Sequence, residues 1–358
     1  MPARAIARLL ALPTPAHLAL VIVVTLVKYG VDRYPSIDLM RALSANWADP
    51  HASPLLQPPD DYRLASPVSA LAAGFLHLTS VRTFLAFHLV IAVLAVISPF
   101  ALPRVRASRE LRSLVTLLLI GSAIPAVLFG WVGGYDAVTV ASLSVAILAE
   151  HRGVRALAWL FVALNNAPVA MLTFAVTMVH HVEVNKQRSF SFLLPSLGGL
   201  LGGVILIQLL LQHWGVATSR LSVYELYGFS RFFTSTMHFA PLIAIGGLGV
   251  GWVLLGCREV RTLQGGRVAL IVACVATVLI PLIALDQTRV LSFVCFGLVL
   301  QVGIVAERAL PKPTFHQVLH RMLPVSVLLV LPVVWDNQLV YAGWSSARAV
   351  MSFVLIGR

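Results

Sequence analysis

Three short polar motifs interrupt this sequence with side chains able to move protons or hold phosphate. Asp32-Arg33-Tyr34 follows the first apolar run, Gly133-Gly134-Tyr135-Asp136 opens a later one, and Asp286-Gln287-Thr288-Arg289 separates two long ones. A carboxylate at the mouth of a cleft can take a proton from a hydroxyl or ligate a divalent cation, so Asp32 and Asp136 are the catalytic candidates. Arginine offers a planar fork of donors that matches phosphate, and Arg289 falls near a helix N-terminus, where free N–H groups favour anions. Arg289, Asp286 and Arg231 are therefore the candidates for binding an anionic substrate group. Each motif also has a structural alternative. Asp32 can mark the membrane edge beside Arg33, Asp136 suits the first turn of any helix, and Asp286 with Arg289 can form an i,i+3 pair in a tight turn. A divalent metal held by aspartates stays open, although no ligand spacing defines it. His180-His181 has no second ligand cluster beside it, and His238 and Asp336 lie within or near the ends of apolar runs.

The elements that must position these residues are membrane helices. Of 358 residues, 59% are hydrophobic and 11% charged, with mean hydropathy +0.90; a soluble domain carries about 25% charged residues. In hydrocarbon every backbone N–H and C=O must be satisfied within its own segment, so long apolar runs become helices. The expected fold is all-α, a polytopic transmembrane helical bundle forming one integral membrane domain over 1–358. At about 20 apolar residues per span, roughly nine full spans are expected, near 14–30, 81–102, 113–132, 135–150, 191–213, 237–257, 268–285, 290–306 and 322–340. Arg4 and Arg8 before the first run imitate a signal peptide, but Lys28–Asp32 offers no small-residue cleavage site, which makes the run a retained span. Segment 156–181 is apolar with basic clusters on both flanks. A re-entrant pair broken at Asn165-Asn166-Ala167-Pro168 accounts for this, with one kinked span as the alternative.

Charge then sets orientation. The net charge is +12 and the pI about 10.5, yet the arginines sit in short turns and form no basic face interleaved with aromatics, which argues against nucleic acid. With alternating spans, Arg4/Arg8, Arg104–Arg112, Arg152/Arg155, Lys186/Arg188, Arg258–Arg267 and Arg308–Arg321 share one side, cytoplasmic by the positive-inside rule, as is the N-terminus. Arginine far outnumbers lysine, which points to a bacterial gene and so to the cytoplasmic (inner) membrane. Asp32, Asp38, Asp49, Asp60, Asp61, Asp136, Glu225, Asp286 and Asp336 then lie at the outer side, while Glu110, Glu150, Glu183, Glu259 and Glu307 lie inside. Residues 31–66 form the long outer loop, rich in Pro, Asp and aromatics, and Pro67–Ser80 suits the interface. A second outer loop, 214–236, carries Arg220, Tyr224, Tyr227 and Arg231. Gly198, Gly199, Gly202 and Gly203, and Gly247 with Gly251, suit close helix packing; Cys257, Cys274 and Cys295 read as packing residues.

The stretch Gly133–Glu183 resembles part of the GT-C superfamily of integral-membrane glycosyltransferases. In that superfamily a Gly-Gln-x-Asp or similar turn opens a span, a basic turn follows, and a broken apolar segment often carries Lys-Pro. Here Gly133-Gly134-Tyr135-Asp136, His151-Arg152-Gly153-Val154-Arg155 and Asn166-Ala167-Pro168 stand in that order, without the Gln and the Lys. Asp32 is similar in position to the aspartate such proteins carry in their first outer loop. The resemblance implies transfer of a sugar from a polyprenyl-phosphate donor, a membrane lipid, at the outer face. Asp32 would deprotonate the acceptor hydroxyl, and Arg289 with Arg231 would neutralise the departing phosphate. Two readings of other kinds stay open: a transporter or lipid-linked glycan flippase using broken helices, and a noncatalytic subunit holding a partner through its glycine faces.

Overall fold

Punctuation by Ser, Pro and Gly cuts the apolar sequence into helices with identifiable starts. Ser80 Oγ accepts the Thr83 N–H (3.2 Å) to cap Val81–Ala101, and Ser108 Oγ accepts the Leu111 N–H (3.0 Å) to cap Arg109–Ile120. These are ordinary N-cap bonds, each removing one orphan donor. The computed structural model describes residues 2–34, 36–57, 60–184, 189–216, 229–284, 287–331, 333–335 and 338–341. Val81–Ala101, Arg152–Val184, Leu193–His213 and Gln287–Ala309 are long and apolar enough to cross a membrane, and Arg109–Ile120 with Ile124–Gly130 passes as one span bent by 58°. Thr14–Tyr29, Asp136–Leu148, Met237–Leu248 and Gly266–Leu282 are shorter apolar helices. The chain is therefore a multi-pass helical membrane protein, built from a few long apolar helices and several short ones rather than from full-length spans throughout.

One expected span is corrected outright. Residues 322–340 do not form one span: the helix Lys312–Leu328 ends within the range, and Val333–Trp335 pairs antiparallel with Gln338–Tyr341. Pro332 cannot donate a helical bond, and the β-branched and aromatic residues on either side of Asp336-Asn337 suit a hairpin. The 31–66 loop is also more structured than its polarity suggested. It holds the helix Ile37–Ala45 and three short 3-10 turns between Pro50 and Ala65, with Met40, Leu43, Leu56 and Leu64 buried beneath them. Val68–Phe75 crosses Ile37–Ala45 so closely that a Cβ on Gly74 would stand 2.4 Å from the Ser44 carbonyl oxygen.

Gln287–Ala309 is the most buried of the four long apolar helices, while Leu194, Ile205, Leu209, Ile271, Val278 and Leu279 are exposed apolar side chains on the outside of the bundle. Arg152–Val184 is not straight. Asn166 has non-helical φ −156 and ψ 77, and the Trp159 and Phe174 rings meet edge-on at 5.1 Å. Fifteen residues of straight helix would separate them by about 22 Å, so the chain folds back on itself at Asn166. The Asn166 Oδ1 accepts the Val169 N–H (3.5 Å), a weak cap on the second limb, and Pro168 lies in that limb's first turn, where its missing donor costs little. Gly199 and Gly203 let Ser189–His213 lie against the first limb: a Cβ on Gly199 would stand 1.9 Å from the Ala156 oxygen, and one on Gly203 2.4 Å from that of Leu160.

Three helix interruptions gather around Lys28, whose side chain is fully buried. Its ammonium donates to the carbonyls of Ile120 (3.2 Å), Leu329 (2.9 Å) and Ser326. Next to it Tyr29 accepts the Leu331 N–H at 3.0 Å. The break after Ile120 also meets the break at Gly249, since the Val250 N–H bonds to the Gly121 carbonyl at 2.8 Å. Further along, His17 and Thr116 share a buried bond of 2.8 Å between Thr14–Tyr29 and Arg109–Ile120.

Two outcomes follow for stability in detergent. Lys28→Met keeps the volume but strips a donor from three buried carbonyls, and denaturant titration should show a loss of about 3 kcal/mol or more. Gly199→Ala should lower stability by about 1–3 kcal/mol through overpacking against backbone. Gly198→Ala, where a Cβ meets nothing within 4 Å, should leave the transition unchanged.

Candidate functional site

The fold sorts polar residues to its two ends. At the basic end, Ser108 donates to Glu307 (2.8 Å), Arg321 to Glu259 (2.9 Å) and Gln264 to the Glu183 carbonyl (2.9 Å). The Arg321 guanidinium holds the Glu259 carboxyl below its ordinary range, so that carboxylate stays charged. At the opposite end the acidic candidates meet aromatic side chains.

The second end is assembled by local backbone geometry. Residues 32–34 run beside 129–132 in a short parallel bridge: the Asp32 N–H bonds to the Phe129 carbonyl (2.8 Å), the Val132 N–H to that of Asp32 (3.0 Å), and the Tyr34 N–H to that of Val132 (2.8 Å). Gly133 makes the next turn with φ +99, a left-handed conformation that L side chains rarely adopt. Asp136 then begins its helix. The apex of the 152–184 hairpin docks here, with Asn165 Nδ2 donating to the Tyr135 carbonyl (2.8 Å) and to Thr139 Oγ1 (2.9 Å).

Arg289 reaches this turn from the start of Gln287–Ala309. Its guanidinium donates to Asp136 Oδ2 at 3.3 Å and to the Tyr135 hydroxyl at 2.8 Å, and it lies over the rings of Trp131 (5.4 Å) and Tyr135 (5.1 Å). Both charges are nearly out of water, with Asp136 3% and Arg289 4% exposed. Tyr34 stands edge-on to Trp131 and Tyr135, at 6.1 and 6.3 Å between centroids. An ion pair this dry is strong electrostatically but costly to assemble, and the stacked rings supply the cation–π attraction that offsets part of that cost.

Of the sequence candidates, Asp136 and Arg289 are thus brought into direct contact. Asp32 is half-buried, its backbone tied to the segment leading into Asp136, and one of its carboxylate oxygens accepts the Arg33 N–H at 2.7 Å. Asp286 lies outside the described residues, as do Arg220, Tyr224, Glu225, Tyr227, Lys186, Arg188 and Asp336. Arg231 falls in the helix Phe229–Leu248, with its side chain outside the described set. Sequence reasoning did not single out Trp131, or Asn165 as a site residue. The signal available was their position within a few residues of the Gly-Gly turn and the Pro168 break. Among the described residues no group of three or more His, Cys, Asp or Glu side chains comes together as a metal site.

Arg289→Gln removes the counter-charge from a buried carboxylate and should cost about 3–5 kcal/mol of stability. Adding Asp136→Asn to it should recover part of that loss, because the double variant buries no charge at this pair; denaturation in detergent of the two single variants and the double variant checks the coupling.

No family model matches the chain, and comparison with curated proteins and with solved structures finds no match.

Proposed function

We propose that this chain is a membrane glycosyltransferase that takes a sugar from a polyprenyl-phosphate donor at the face where Asp32, Asp136 and Arg289 lie. That face is the outer one if the basic end is cytoplasmic. The single observation carrying the reading is the buried cluster Asp136–Arg289–Tyr135 beside the half-buried Asp32. It combines a cation suited to a phosphate leaving group with a carboxylate at the rim.

In this reading the acceptor oxygen forms its bond to the anomeric carbon while the bond from that carbon to the phosphate oxygen breaks, its electron pair staying on the phosphate. The acceptor's proton passes to Asp32. Arg289 stabilises the developing phosphate charge, a role for which a desolvated donor is worth far more than one in water. Asp136 and Tyr135 hold the guanidinium's plane, and Trp131 and Tyr34 shield it. Asp136 therefore acts as a positioning residue, since its carboxylate is engaged by Arg289.

A transporter or flippase reading draws on a different observation, the contact between the helix breaks at Gly121 and Gly249. Discontinuous helices at membrane depth form substrate sites in such proteins.

Purified protein in liposomes, offered a panel of polyprenyl-phosphate sugars with a radiolabelled sugar, tests both. Turnover that falls at least about a hundredfold in Asp32→Asn, at unchanged thermal stability, fits general-base loss. Wild-type turnover in that variant would sink the role of Asp32, and counterflow without turnover would favour transport.

A further inference from the structure

The helix Ser189–His213 is held to the rest of the molecule along one face only. Gly199 and Gly203 turn inward onto the first limb of the 152–184 hairpin, and of the apolar stretch Leu193–His213 just 28% is buried, the smallest share among the four long apolar helices. An exposed face is ordinary for a helix at the rim of a membrane bundle, because lipid tails are as apolar as leucine. What stands on this face is not all aliphatic. Leu194, Gly198, Leu201, Ile205, Gln208 and Gln212 are exposed and recur at alternating steps of four and three, a continuous seam of the kind that two helices crossing at about 20° share.

Gln208 is the residue that lipid does not suit. The 21 residues from Leu193 to His213 make a rod of about 31 Å, which matches a hydrocarbon core of about 30 Å. As part of such a span, Gln208 stands five residues from the end, about 7 Å inside the core. Snorkelling is opposed, because helical Cα–Cβ bonds tilt toward the N-terminus, here away from the nearer membrane edge. Among the described residues its amide has no hydrogen-bond partner, and an unmet amide in hydrocarbon is costly.

The amide carries one acceptor and two donors, so it is complementary to itself. The basic bias of one end gives every copy the same topology, which sets each Gln208 at the same depth. A twofold axis along the membrane normal then brings this residue of one copy against the same residue of another. Ten residues toward the helix start, about 15 Å along it, Gly198 lies on the same seam, and a Cβ there would meet nothing within 4 Å. Its missing side chain leaves backbone bare where a second helix can approach closely.

We propose that this chain forms a homodimer in the membrane through the Leu194–Gln212 seam, with the two Gln208 amides donating to each other's carbonyls and the two helices closest at Gly198. The dimer is independent of the sugar-transfer reading and stands if that reading fails.

Full-length protein labelled with donor and acceptor dyes, in liposomes of phosphatidylethanolamine and phosphatidylglycerol, supplies the test through energy transfer as lipid is added. Wild type should hold transfer above the level of random proximity until dilution separates the copies. Gln208→Leu should weaken association about fivefold or more and Gly198→Leu about tenfold. Both variants should keep the wild-type thermal transition, since both positions face away from the rest of the chain. With the exposed native thiol removed by Cys274→Ser, copper phenanthroline should cross-link Gln208→Cys to itself and leave Ile271→Cys, at an exposed position on Gly266–Ile283, uncoupled. Transfer at the random level in wild type overturns the proposal. So does association unchanged in both leucine variants, or cross-linking of Ile271→Cys equal to that of Gln208→Cys.

Discussion

A helix that stops inside hydrocarbon leaves carbonyls and amides that water cannot reach, and each such group costs several kcal/mol if nothing bonds to it. This chain stops helices repeatedly inside its buried interior, and its fold is arranged around satisfying the ends. Lys28 carries one ammonium to carbonyls from two different helix ends, at Ile120 and at Ser326 and Leu329. Helix C-termini are the negative ends of their dipoles, so a cation there is attracted as well as bonded. Tyr29 takes the Leu331 N–H, Val250 takes the Gly121 carbonyl, and Asn166 caps its own second limb. Remove these bonds and the bent helices have no reason to stay bent.

The bends are what allow the acidic end to exist. A straight Arg109–Gly130 rod would not deliver Trp131 and the Gly133 turn beneath Tyr34, and a straight 152–184 rod would not place Asn165 against Tyr135. Once those turns are fixed, Asp136 and Arg289 meet in a dry pocket where neither would be stable alone. Arginine fits that place better than lysine because its plane can stack on Trp131 and Tyr135 while its edge serves Asp136.

Much of this was legible in the residue string, and the illegible parts share a cause. Hydropathy identified the membrane class, and the Gly-Gly-Tyr-Asp and Asp-Gln-Thr-Arg motifs marked the two side chains that pair. Apolar runs do not reveal whether a helix is a full span or a short buried rod, because both exclude water; hence Asp136–Leu148 looked longer than it is. The 333–341 hairpin was hidden by its own hydrophobicity, although Pro332 and the residues around Asp336-Asn337 signalled it. Lys28 carries a large part of the fold with little local signal. It lies within the expected first span, 14–30, where an ionisable residue is a structural or functional candidate by default. Nothing local could say that its partners would be carbonyls some 92 and 298 residues away.

Lys28 also bears on the choice between readings. Discontinuous helices in transporters offer unwound carbonyls to an exchangeable cation, and binding and release of that ion drive the cycle. Here the carbonyls of Ile120, Ser326 and Leu329 converge on an ammonium fixed to the chain by its own side chain. A tethered cation cannot leave, so this trio of carbonyls holds helices together. The breaks at Gly121 and Gly249 are joined to each other through the Val250 N–H, while at the acidic end Asp136 and the Tyr135 hydroxyl hold the Arg289 guanidinium in place. In the proposed transfer, a phosphate would meet there a guanidinium already oriented and desolvated, which is the condition under which electrostatic stabilisation of a leaving group is largest.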